Sequence, residues 1–280
     1  MLTRLSNLTK ASLFYGIAFT LVLLVALFAQ RLGGASEPAS MSTSLIAVLL
    51  MLLVVTPDGY RRAGWKALGL HRAGWSKWGL AILAPLGVMA GTYIIVWITG
   101  LGRFSLANFP SAIDLVLMVV VNCVFGLVEE IGWRGYLLPH LLPLGRLRAL
   151  LLSGLLHGIW HLPLILLTPF YHPGDNRIIV VGLFLLTLTA AGVLYGYLRL
   201  TSESVWPVGI AHGVYNSAWN LFSGLTVAGA APLLLEYMAS ESGLIPLIGV
   251  TLLSAWLVYR WQRQPSAAQS PTGFTRKQFA

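Results

Sequence analysis

Apolar positions fill long runs of this chain, and polar positions fall mostly between the runs. A helix needs roughly 20 apolar residues to cross the hydrocarbon core of a bilayer. Eight runs approach that length, at about 11–30, 43–57, 78–100, 112–133, 147–168, 178–199, 204–226 and 244–262. They predict an all-α, polytopic membrane bundle of about eight transmembrane helices, formed by residues 1–263. The seventh run fits the pattern least, because it carries His212, Asn216 and Asn220. The first, from Ala11 to Ala29, exceeds the roughly 7–15 residues of a signal-peptide core and is expected to be a retained helix.

Two stretches break the pattern of runs. Residues 60–77 interleave tryptophans with basic residues, which suits a helix lying at headgroup depth. The tail from Gln264 to Ala280 is polar and holds Pro, Ser and Gln, so it is expected to be a disordered cytoplasmic tail.

Composition agrees with a membrane protein: 57% of residues are hydrophobic and only 10% charged, against roughly 25% charged in soluble domains. The net charge of +9 does not point to nucleic acid, because the basic residues stand singly between apolar runs. They mark topology instead. With the N-terminus in the cytoplasm, the only basic residues on the far side are Arg31, Arg103 and Arg177, out of 18 in the chain. The reading is a multi-pass protein of a bacterial inner membrane with both termini cytoplasmic and the lipid bilayer as its partner. The one cysteine, Cys123, lies in an apolar run and is expected to act as a small buried residue.

Three polar clusters interrupt the spans, where ionisable groups are costly and face a cavity or a partner. In "EEIGWR", Glu130 and Arg134 are four residues apart and can pair along one helix face. Glu129 points about 100° away from Glu130 and is free for another task. In "HGIWHLP", His157 and His161 share a face at a spacing that could hold a metal. The zincin pattern H-E-x-x-H is absent, since Gly158 follows the first histidine. In "HGVYN", His212 and Asn216 again share a face. Glu129 near a cytoplasmic helix end, with the histidines near mid-membrane, would surround a water-filled cavity opening to the cytosol. A carboxylate with imidazoles there can activate water, and a histidine with an asparagine can stabilise an oxyanion. Each cluster also has a plainer reading: a helix-end ion pair, a hydrogen-bonded core histidine, or an interhelical hydrogen bond.

These three clusters resemble the E-E-x-x-x-R, F-x-x-x-H and H-x-x-x-N motifs of the CAAX protease and bacteriocin-processing family, over a core of about residues 112–226. The resemblance implies an eight-helix intramembrane endopeptidase acting on membrane-embedded or lipidated substrates. It implies Glu129 as catalytic carboxylate, His161 as its partner on the attacking water, His212 and Asn216 as the oxyanion site, and Glu130 and Arg134 as support. The sequence departs from the family at His157, which stands where the motif has Phe. This change either exchanges one flat ring for another or supplies an extra ligand or proton carrier. No cofactor is called for. Zinc or another divalent metal stays open, with His157, His161 and His212 as candidate ligands.

Rival chemistries find no support: G-x-S-G, G-x-G-D and the nucleotide-binding G-x-x-x-x-G-K-[ST] are all absent. Two other function classes stay open. One is a non-proteolytic scaffold or bacteriocin-immunity protein that keeps the cavity for binding. The other is a proton-coupled transporter, although no inverted repeat stands out.

Overall fold

The computed structural model describes residues 5–169, 171, 172 and 176–263. The polar tail from 264 lies outside the described residues. Among the described residues, eight long helices build an all-α bundle: α1 (Asn7–Leu27), α2 (Ser36–Leu50), α3 (Trp78–Thr99), α4 (Ala112–Glu130), α5 (Arg146–Leu167), α6 (Arg177–Ser202), α7 (Trp206–Gly224) and α8 (Leu244–Gln262). Among the described residues the only sheet is a two-stranded antiparallel pair, β1 (Gly102–Phe104) with β2 (Thr226–Ala228). α1, α4 and α6 start at side-chain N-caps, Ser6, Ser111 and Asn176, whose oxygens accept the first free backbone N–H groups.

Among the described residues, seven stretches are long and apolar enough to cross a membrane. α7 is not among them, although it is a complete helix of 19 residues. Its polar face explains the difference. His212, Asn216 and Asn220 lower its hydropathy, and all three line one cavity.

The fourth span corrects the sequence reading. The run of 112–133 was expected to stop just past the glutamates. The helix instead passes from α4 through π-helical turns at Ile131–Leu137 and ends near Leu144. At 1.5 Å per residue, Glu129 then lies about 22 Å from one end and about 25 Å from the other. It is a mid-bundle residue. Arg134 looked like a helix-end cation but is fully buried. The interfacial stretch also differs in detail. Only Arg62–Ala67 is α-helical, and left-handed Gly69 and Gly74 (φ +79° and +69°) turn the chain before α3.

The bundle has two distinct ends. One holds both termini of the helical array. There Lys10 pairs with Asp58, Arg72 with Glu203, and the Arg146 guanidinium covers Trp261 at 4.4 Å. The other holds the β1–β2 pair and the hydrogen-bonded hydroxyls of Tyr171 and Ser242.

Small residues let the central helices touch. Gly209 and Gly213 on α7 meet Leu127 and Cys123 on α4, and Gly154 on α5 meets Gly192 on α6. A Cβ on Gly213 would fall 2.4 Å from the Cys123 Cα, and one on Gly154 would fall 2.4 Å from the Leu188 carbonyl oxygen. Such small-residue crossings allow close backbone approach where lipid offers no hydrophobic drive for helix association. They hold α7 against α4 and α5 against α6, and the first crossing brings His212 within reach of Glu130.

Candidate active site

Glu129 and Glu130 are 2% and 0% exposed, so each charge needs a partner within the protein. They find different ones, as their angular separation on the helix requires. The Arg134 Nη1 group donates to both oxygens of Glu130, at 2.9 and 3.0 Å, along the i, i+4 face. His212 Nδ1, from α7, lies 3.1 Å from Glu130 Oε1. Glu129 Oε2 lies 2.9 Å from His157 Nε2, on α5. The Arg134 guanidinium also lies over the Tyr195 ring at 5.2 Å, and Tyr195 stacks on His212 at 5.7 Å and 16°.

Two carboxylates and one guanidinium leave one formal negative charge in excess within the bundle. One proton, on Glu129 or on His212, would neutralise the cluster. A proton that can sit on either of two groups lining a cavity suits acid–base chemistry.

Glu129, His157, His161, His212 and Asn216 all line one cavity of about 230 Å³. Glu130 and Arg134 stand behind it and hold its wall. The cavity reaches from this centre to Tyr171, Glu241 and Ser242, and to Glu37 at the start of α2. Those residues lie at the end opposite the helical termini. The exposed lining residues Glu37 and Asn220 lie at that end too.

Other lining residues escaped the sequence reading. Asn122 precedes Glu129 by seven residues, two helical turns on the same face, and its polarity within an apolar span was a usable signal. Its amide donates to Ser217 Oγ on α7 at 3.2 Å. Tyr195 and Tyr215 carried no such signal, because aromatic residues are ordinary in membrane helices.

The histidine and carboxylate atoms of Glu129, His157 and His161 lie within 4.8 Å of one another, so this trio is the candidate metal cluster. His212, expected among the ligands, is not part of it. The hydrogen bonds test the fit. His161 Nδ1 lies 3.1 Å from the His157 carbonyl oxygen, which can only accept. His161 therefore carries its proton on Nδ1 and keeps a lone pair on Nε2. His157 Nδ1 lies 3.1 Å from Arg134 Nη1, which can only donate. Its Nδ1 is thus an acceptor, and its proton sits on Nε2, facing Glu129. A proton-bearing nitrogen cannot ligate. Glu129 and His161 alone fall short of the three protein ligands usual at catalytic zinc, so the trio does not fit such a metal as arranged.

Comparison with known proteins bears on the same stretch of chain. Residues 110–218 match the family model described as Type II CAAX prenyl endopeptidase Rce1-like. The chain matches no curated protein. That match contains all three polar motifs, so over residues 110–218 the chain is similar to the family that its motifs resemble.

Proposed function

We propose that this chain is an intramembrane endopeptidase that hydrolyses peptide bonds of membrane-associated or lipidated protein substrates. The observation that carries this reading is a buried carboxylate, Glu129, oriented by one histidine and facing a membrane cavity beside His161, His212 and Asn216. The family match on the same residues supports it.

The step follows from donors and acceptors. Glu129, with the His161 Nε2 lone pair beside it, removes a proton from water as the oxygen bonds to the substrate carbonyl carbon. The carbonyl oxygen becomes an oxyanion, which the Asn216 amide and a protonated His212 Nε2 can stabilise by donation. The proton taken by Glu129 then passes to the leaving nitrogen as the C–N bond breaks. Glu130 holds His212 through Nδ1, and Arg134 holds Glu130.

With both termini in the cytoplasm, as the basic residues suggest, the cavity mouth faces away from the cytoplasm. Substrates then enter from that side or from the adjoining leaflet. The test is cleavage of a peptide panel by purified protein in detergent, read by mass spectrometry. The panel holds tethered, prenylated and acylated peptides with their soluble counterparts. Endoproteolytic products from a tethered or lipidated member, and none from its soluble counterpart, are expected. Uncut peptides that nevertheless bind specifically would turn the reading to a non-proteolytic role.

A further inference from the structure

We propose that His157 is a positioning residue: it fixes the Glu129 carboxylate through an Nε2–H tautomer, and that same tautomer keeps it from binding a metal. The inference rests on the protease reading for its kinetic part only. His157 is fully buried, and both ring nitrogens are engaged. Arg134 has no acceptor to offer, so it fixes Nδ1 as an acceptor from 3.1 Å. A neutral imidazole then has its one proton on Nε2, 2.9 Å from Glu129 Oε2. A second proton, on Nδ1, would oppose the Arg134 N–H. Turning the ring over would set carbon atoms against both partners.

The ring is also held in plane. It stacks on Trp133 at 4.9 Å and 23°. The family's Phe could make that stacking contact but neither hydrogen bond. The change from Phe to His therefore keeps a flat ring and adds one donor aimed at Glu129. Arg134 cannot readily withdraw to free Nδ1, because it is buried and bonded to both oxygens of Glu130. One guanidinium thus links the two glutamates: it pairs with Glu130 directly and orients Glu129 through His157.

The experiment uses the full chain in detergent as wild type, Glu129→Gln, His157→Phe and His157→Gln. Melting midpoints check that each variant is folded. His157→Phe should lower kcat by about 10²-fold, the scale of a 1 Å misplacement, with KM changed by less than about twofold. His157→Gln restores a donor toward Glu129 and should recover most of kcat, which a space-filling role would not allow. After equilibration with zinc and desalting, wild type and His157→Phe should hold equal metal. Nitrogen NMR of the ring should show His157 protonated at Nε2.

Wild-type kcat in His157→Phe, with Glu129→Gln inactive, would overturn the positioning role and leave the protease reading standing. One zinc per chain in wild type, lost in His157→Phe, would overturn the tautomer and make His157 a ligand. If the wild type cleaves nothing, the protease reading and the kinetic role fail together. The ring spectrum and zinc content would then decide the tautomer alone.

Discussion

Replacing Gly213 by alanine adds one methyl group where α7 crosses α4. Its Cβ would lie 2.4 Å from the Cys123 Cα, 2.5 Å from the Cys123 nitrogen and 2.7 Å from its Sγ. Carbon atoms settle about 3.5–4.0 Å apart, and the first two obstacles are backbone that no rotamer can move. The helices must therefore separate by about 1 Å. Overpacking of this kind costs about 1–3 kcal/mol, partly offset by about 1 kcal/mol from replacing a helical glycine with alanine. Net loss of stability is small. The site suffers more, because the neighbouring residue is His212. A separation of about 1 Å would stretch its 3.1 Å contact with Glu130 beyond hydrogen-bond range, and such displacement costs about 10²-fold in rate. The assay measures kcat on a cleaved tethered peptide and the melting midpoint on the same preparation. Gly126→Ala, with its nearest obstacle at 3.0 Å, should fall between Gly213→Ala and Gly87→Ala, which meets nothing within 4 Å. Equal rates in Gly213→Ala and wild type would refute the claim that this crossing sets the site.

Other variants probe separate parts of the account. Arg134→Gln leaves Glu130 buried without its cation, and loss of one member of a buried pair costs about 3–5 kcal/mol. Its melting midpoint should fall well below that of Arg134→Gln with Glu130→Gln combined, which removes both charges. Asn216→Ala should lower kcat by about 10²–10³-fold with little change in KM, as expected for a lost oxyanion donor. Arg199 donates to the carbonyls of Arg134 and Ala67 and packs under Gly69. Arg199→Met should therefore loosen the 60–77 segment, seen as faster limited proteolysis there.

The sequence made the eight helices and the three motifs legible, because apolar run length and i, i+4 spacing are properties of one strand of chain. Glu130–Arg134 was readable for the same reason. The end of the fourth helix was not. "EEIGWR" reads as a charged terminus unless one knows that His157 and His212, on other helices, receive both glutamates. That reach depends on the glycine crossings, whose partners no local pattern names. His157 was visible as a departure from its motif, but its tautomer required the positions of Arg134 and Glu129 together.

The most direct test measures cleavage rate and melting midpoint for wild type and Glu129→Gln on one tethered substrate. A glutamine at 129 keeps an oxygen that can accept from His157 Nε2, so the fold should survive with an almost unchanged midpoint. It cannot take a proton from water. The rate should fall by about 10²–10⁴-fold, the contribution typical of a general base. A folded Glu129→Gln that cleaves at close to the wild-type rate would contradict it.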